Sequence, residues 1–576
     1  MRTRRRLLSL RFFIGLILTA LSTPAQRTPV EARHALVVSA HELASQAGVE
    51  ILQEGGNAVD AAVATGLALA VVYPVAGNIG GGGFMLLHLV DGHDFVIDYR
   101  ETAPAAATRN MYLGPDGKLI QGSGSSTIGW RASGVPGTIA GFAIAFEKYG
   151  SHKVTWADIC EPARLLAAEG HIVSPGIAAS LHSSSQILGQ FDDSKRIYLK
   201  GGAFLEPGEK WVQADLAETF ARLQKYGPPD FYQGETAHRI AEGMAAHGGD
   251  ITLADLMHYR PVVRPPLHGK YRGYDIVTVP PPSSGGIALL QMLGMLETHD
   301  VGSLGGISAA KNHLFAEVMK RAFRDRAEYL GDTDFVTVPV ERLLAPAYLR
   351  ARMADFSPDK ATPAAAVQPG LGKFVARAPH ESNETTHYAV LDSAGNAVAN
   401  TYTLNGSFGS GATIPGTGIL MNNEMDDFTS AMDIPNASGL IQGEANAIVP
   451  GKRPLSSMTP TFVFKDSRLV LVTGSPGGPA IINTVLQIIT NVIDYGMPVQ
   501  QAVDAPRINQ QWMPDIISYE SDGLSTETIA GLQAKGHTLK ESGPQGDGES
   551  IAIDPQNGLI TGATDPRNPG AKAIGY

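Results

Sequence analysis

One cysteine, Cys160, stands in 576 residues. No intramolecular disulfide can form. Cys160 lies in an apolar, helix-like stretch with Ile159, Leu165, Leu166 and Ala167, and reads as a small buried hydrophobe rather than a catalytic thiol. Membrane-length apolar runs are also missing. Phe12 to Leu21 and Ala58 to Val72 both fall short of the roughly 20 residues that span a bilayer. The second run follows Asn57 and stops at Pro74, so it reads as a buried helix. Several reaction signatures are incomplete. His41-Glu42 and His380-Glu381 each open an H-E-x-x-H zinc pattern, but the closing positions hold Ser45 and Glu384. There is no G-x-S-x-G elbow. The glycine run Gly80 to Gly83 lacks the Gly-Lys-Ser/Thr ending of a phosphate loop and is better suited to close packing. Internal repeats and low-complexity tracts are absent. Positive charge is in deficit, the formal net charge being −11. That balance disfavours nucleic acid and anionic lipid as partners.

What positive charge there is gathers partly at the start. Arg2, Arg4, Arg5, Arg6 and Arg11 precede or flank the apolar run, and Thr23-Pro24-Ala25 follows it. This is the layout of a secretory signal over residues 1–25, a retained membrane anchor being the alternative. Its removal takes away five arginines and no acid, moving the formal charge from −11 to −16. The protein is therefore expected to be exported, to the periplasm or the medium.

Residues 30–75 read as helical, with strands at 84–90 and 95–99. Residues 135–260 look mostly helical. Pro280 to Gly286 forms a bend into a helix at Ile287–Leu296, and 307–355 is helical again. Residues 356–384, rich in Ala, Pro and Gly, read as a loop. The texture changes at Thr385, with strands at 386–392, 397–404, 461–465 and 469–473, then helices at 479–495 and 525–535. This order fits layered α+β packing better than separate domains.

The stretch from Glu384 to Gly411 is the most informative. Ser393-Ala394-Gly395 joins two strands, and a three-residue hairpin loop commonly ends in a left-handed glycine, a slot that Gly395 fits. If Asp392 pairs with Asn396, Thr385 lies opposite Thr403 on one face, about 5 Å apart. Asn405 then points the same way. A four-residue loop would oppose Thr385 to Leu404 instead. Taken alone, the hairpin reads better as an ordinary cross-strand threonine pair.

Downstream blocks change that balance. Thr385-Thr386-His387-Tyr388, Thr401 to Asn405, Met421 to Phe428, Arg453 to Met458 and Thr473 to Gly478 resemble the small subunit of γ-glutamyltranspeptidases. Upstream, Tyr99 to Pro104 and the Pro280–Gly286 bend match as well. The resemblance runs in family order from about residue 34 to Tyr576. It implies an N-terminal-nucleophile hydrolase, a four-layer αββα sandwich made as a precursor that cuts itself between Glu384 and Thr385. The products would be a large chain, residues 26–384, and a small one, 385–576, paired as a heterodimer.

The resemblance also implies roles. Thr385 would be the nucleophile, with Thr403 orienting its hydroxyl and the new α-amino group, of reference pKa roughly 7.7–8.0, serving as base. Gly477 and Gly478 would offer backbone N–H groups to the oxyanion. Arg100 would grip the α-carboxylate of a γ-glutamyl group with two parallel hydrogen bonds. Ser456 and Ser457 would add hydroxyl donors, and Asp427, Glu424 and Asn405 would take the α-ammonium. Glu424 stands where some relatives carry glutamine. Glutathione and other γ-glutamyl compounds are the implied donors, water and amino acids or dipeptides the acceptors. No cofactor and no metal are implied. Residues 433–446 resemble a lid loop in which some members carry a tyrosine at the position of Ser438, so a looser gate favouring hydrolysis is expected here. Two other functions remain open: a cephalosporin (glutaryl) acylase-like amidase, disfavoured by Asp427, and an exported γ-glutamyl-binding protein without catalysis.

Overall fold

The computed structural model describes residues 27–372, 384–430 and 443–576. The signal-like segment and Ser438 lie outside them. Two seven-stranded antiparallel sheets carry the architecture. One contains Glu384–Leu391 and Ala397–Asn405 at its centre, flanked by Leu36–Ser39 and Gly82–His88. The other contains Thr461–Lys465 and Arg468–Thr473, flanked by Tyr274–Thr278 and Ser550–Ile553.

The layering follows from the two-residue period of a strand. Leu36, Val38, Phe84, Leu86, Ala389 and Leu391 face one way and meet Val277, Phe462, Phe464, Val472 and Ile551 of the second sheet. Their neighbours Val37, Met85, Leu87, Tyr388 and Val390 face outward, into a core with helices Glu42–Gln53, Ala58–Val72, Thr138–Tyr149 and Trp156–Glu169. On the far side Ile276, Val463 and Leu471 pack against helices Gly285–Leu296, Ala309–Tyr329 and Ala480–Ile493. Helix, sheet, sheet, helix is the expected αββα sandwich.

Most sequence expectations are met within a residue or two, including the paired strands and the helices Ala480–Ile493 and Thr526–Ala534. Helix Ala58–Val72 starts at an Asn57–Asp60 capping box and is buried along its whole length. Cys160 is buried and unbridged, and burial pushes its thiol well above the usual range. Residues 30–75 differ from the all-helical expectation: Val30–Ala32 and Leu36–Ser39 are strands. Leu36–Ser39 is held by Tyr388–Leu391 on one side and Lys572–Gly575 on the other, partners hundreds of residues away that no local pattern reports. Among the described residues, no helix is long and apolar enough to cross a membrane.

Candidate active site

The hairpin turn behaves as its residues require. Asp392 N–H donates to the Asn396 carbonyl (3.0 Å), and Gly395 takes φ +96°. The Asp392 carboxylate accepts from the backbone N–H groups of Ala394 and Asn396 and, across the fold, from Ala58. The register then runs unbroken from Leu391↔Ala397 to Thr386↔Tyr402. Between Thr386 and Glu384 it shifts by one, and Glu384 pairs with Asn405. Thr385 therefore sits at an irregularity facing the Thr403–Leu404 step, rather than in a regular cross-strand pair. The glycine run serves the same spot: a Cβ on Gly81 would lie 2.0 Å from the Thr403 carbonyl oxygen.

Thr403 and Asn405 are tied to the end of their strand. Thr403 Oγ1 accepts the Asn405 N–H (2.7 Å), which turns the hydroxyl hydrogen away from that bond. Asn405 adopts φ +75° and donates from Nδ2 to the Asn423 carbonyl, next to Glu424. The 3-10 turn Glu424–Asp427 follows.

Arg100 leaves the end of strand Asp94–Asp98, its N–H held by Asp98 and its carbonyl by the Tyr259 hydroxyl. Its guanidinium is buried and forms ion pairs with Glu424 and Asp427, with Glu101 at 3.6 Å. Burial opposes its charge, but the three carboxylates hold its pKa above the ordinary range. The acids respond in kind. Burial pushes Glu424 well above the carboxylate range, raises Asp427, and pushes Glu101 up to about 7 against the pull of Arg100. The three acids outnumber the two buried guanidiniums that act on them, Arg100 and, through Asp427, Arg326.

Ser456 and Ser457 close this pocket from the neighbouring loop. Ser456 Oγ accepts the Met458 N–H, and its carbonyl accepts from Ser284 N–H and Oγ. Ser457 Oγ accepts from Arg326 (3.3 Å), a buried arginine that also donates to Ser284 Oγ (2.8 Å). Both serine oxygens are occupied as acceptors, so both hydroxyl hydrogens are left to donate. Asn446 joins the two halves, donating to the Asp427 carbonyl and accepting the Leu455 N–H.

Gly477 (φ +123°) and Gly478 (φ +54°) immediately precede helix Ala480–Ile493. A helix N-terminus carries a partial positive charge suited to an anion. Thr385 and Gly477 line one cavity of about 610 Å³, together with Gly546, Asp547 and Asn568. A separate buried group, His313, Glu317 and His537, has its ligand atoms within 4.8 Å of one another. Its members are engaged already: His313 bonds His537 (2.7 Å) and the Ser357 carbonyl, and Glu317 pairs with Lys320 and Arg321.

The structure thus assembles the sequence-derived residues around Arg100 and around Thr385. Two buried residues that contact the Arg100 pocket were not among the residues singled out from the sequence. Glu101 was visible inside the Tyr99–Pro104 block. Arg326 lay unmarked in a charged helix.

The sandwich with a threonine at the head of a central strand belongs to the class of N-terminal-nucleophile hydrolases. Residues 44–575 match the family model described as gamma-glutamyltranspeptidase, and the chain belongs to that family. It is 47% identical to the glutathione hydrolase proenzyme of Escherichia coli K12 over 95% of this chain and 93% of that one. It is 37% identical to the acylase ACY 1 proenzyme of a Pseudomonas species, strain SE83, over 93% of each chain. The cephalosporin acylase structure from Bacillus halodurans superposes with a TM-score of 0.82 at 27% identity, covering 98% of this chain and 99% of that one.

Proposed function

We propose that this protein is a γ-glutamyltransferase and glutathione hydrolase that matures by cutting itself before Thr385. The observation that carries the reading is the Arg100 pocket: the buried guanidinium of Arg100 with that of Arg326 behind Ser457, two serine hydroxyls, and three buried carboxylates. A γ-glutamyl head group ends in one carboxylate and one ammonium. The carboxylate matches Arg100, Ser456 and Ser457. The ammonium matches Asp427, Glu424 and the side-chain carbonyl of Asn405. Without substrate, Arg100 pairs with the same acids; an arriving zwitterion supplies both complements and lets the pairs exchange.

In maturation, Thr385 Oγ attacks the Glu384 carbonyl, the Glu384–Thr385 C–N bond breaks, and water hydrolyses the ester. The strand irregularity at this bond supports the reading, because it takes the scissile peptide out of the regular ladder. The freed α-amino group then removes the hydroxyl proton in each turnover. Thr385 attacks the γ-carbonyl, Gly477 and Gly478 N–H groups receive the oxyanion, and the amine leaves. Water or an acceptor amine resolves the γ-glutamyl–Thr385 ester.

Residues 26–384 and 385–576 would remain together after the cut. Strands Leu36–Ser39 and Gly82–His88 hydrogen-bond directly to Glu384–Leu391 and Ala397–Asn405, so one sheet is shared by both pieces. Export to the periplasm or medium rests on the basic and apolar N-terminus. The decisive experiment pairs denatured intact mass with γ-glutamate release from glutathione. Two fragments and release are expected. One stable intact chain without release would favour the binding-protein reading.

A further inference from the structure

We propose that a second cavity, walled by Arg27, His41 and Lys572, extends the acceptor site and binds the C-terminal carboxylate of peptides longer than a dipeptide. The inference deepens the function proposed above and rests on it. Thr385 and Gly477 line the 610 Å³ cavity, and the residues of the Arg100 pocket do not. A donor with its head group at Arg100 and its γ-carbonyl at Thr385 therefore sends its amine side into that cavity. An acceptor amine enters the same space.

The second cavity, of about 1040 Å³, adjoins the first. Pro569 lines both, and helix Pro175–Ser183 presents Pro175 to the larger and Gly176 to the smaller. Arg27, on the larger wall, donates to the carbonyl of Asn568 (2.9 Å), a residue of the smaller wall. An extended peptide gains about 3.3–3.6 Å per residue. A dipeptide, about 7 Å long, stays beside Thr385, whereas a tetrapeptide, about 14 Å long, passes Pro569 and carries its carboxylate into the larger cavity.

The charge there is the reverse of the chain's. The formal net charge is −11, yet the lining holds Arg27, Lys572, two histidines and a single acid, the exposed Glu42. The half-buried Arg27 guanidinium bonds only neutral oxygens: Thr564 Oγ1 (2.8 Å) and the carbonyls of Asn568 and Ala571 (3.4 Å), with no carboxylate among the described residues. A guanidinium has five N–H groups, so donors remain after these three bonds. His41 is 8% exposed, and its Nδ1 accepts the Leu43 N–H (3.2 Å). Burial, with His171 beside it, holds its pKa down at about 4, so the neutral ring carries its proton on Nε2, which has no acceptor among the described residues. Lys572 is exposed on the same wall. A guanidinium and an imidazole N–H with donors open, and an ammonium beside them, suit a carboxylate, whose hydrogen bonds to charged donors are among the strong ones.

The test measures transfer from γ-glutamyl-p-nitroanilide to glycylglycine, tetraglycine and tetraglycine amide, in the mature wild type and Arg27→Gln. The wild type should use tetraglycine about tenfold better than its amide as kcat/KM, mainly through KM, as expected for one charge-assisted contact. Arg27→Gln should bring that ratio below about threefold while changing glycylglycine transfer and γ-glutamate release by less than about twofold. Equal use of acid and amide by the wild type, a ratio unchanged in the variant, or an equal loss with glycylglycine overturns the inference. If Arg27→Gln does not mature, Lys572→Gln is read against the same ratios. Absence of γ-glutamate release by mature wild type would instead sink the function on which it rests.

Discussion

Glu101→Gln should make the protein more stable at alkaline pH and not at acid pH. The carboxyl is fully buried beside Arg100, and burial raises its folded-state pKa from 4.5 to about 7. Below 4.5 the group is protonated in both folded and unfolded chains and contributes no difference. Between 4.5 and 7 the unfolded chain ionises while the folded one still holds its proton, so the wild type loses stability as pH rises. Above 7 the loss is complete. At about 1.4 kcal/mol per pKa unit, it amounts to about 3 kcal/mol. Glutamine has nearly the volume of a neutral carboxyl and does not titrate, so the variant escapes the loss. Urea unfolding of both mature proteins at matched concentration, near pH 4 and near pH 8, measures it. The variant's advantage should appear only at the higher pH. An equal difference at both values would refute the claim that the pocket carries surplus acid.

Thr385→Ala should leave one uncut chain by denatured intact mass, whereas the wild type gives fragments ending at Glu384 and beginning at Thr385; an N-terminal threonine fragment from the variant would contradict the mechanism. Gly477→Ala should cost about 10²–10³ in kcat, read by steady-state kinetics, because φ +123° is hostile to a side chain and a displaced N–H loses the oxyanion. Gly478→Ala, at φ +54°, should suffer less. Arg326→Lys and Ser457→Ala should each raise the donor KM, and a double-mutant cycle should show coupling of about 0.5–3 kcal/mol, since Arg326 bonds the serine oxygen. A glutaryl amide, lacking the ammonium, should be used at least about a hundredfold less well than its γ-glutamyl counterpart, as kcat/KM, because it leaves buried acids unpaired.

The sandwich was legible where its pattern is local. Strands Glu384–Leu391 and Ala397–Asn405 carry their alternation and their turn in one short stretch, and Asp392 and Gly395 together specify the register. Leu36–Ser39 was not legible, because its four apolar or small residues run straight into an amphipathic helix and only distant partners make them a strand. The closing strands Ser550–Ile553, Ile560–Ala563 and Lys572–Gly575 share that problem. Each is four residues long, too short for a period to declare itself.

The site divides along a similar line. Features that depend on backbone shape left marks that a sequence carries: positive-φ glycines at Gly477 and Gly478, a glycine run where strands must touch, a register set by a turn. The Thr385–Thr403 alignment was read correctly up to Thr386, and the last step differs because the strand shifts register at the bond proposed for cleavage. Chemistry that depends on charge balance left far less. Arg100 and Asp427 were marked only by the family blocks around them and Glu101 was not singled out at all, and burial is what suits an arginine among carboxylates to the zwitterion proposed above. Arg326 was invisible for the same reason: it has no unusual neighbour in the chain, and it acquires its meaning from a partner brought up by folding, Ser457.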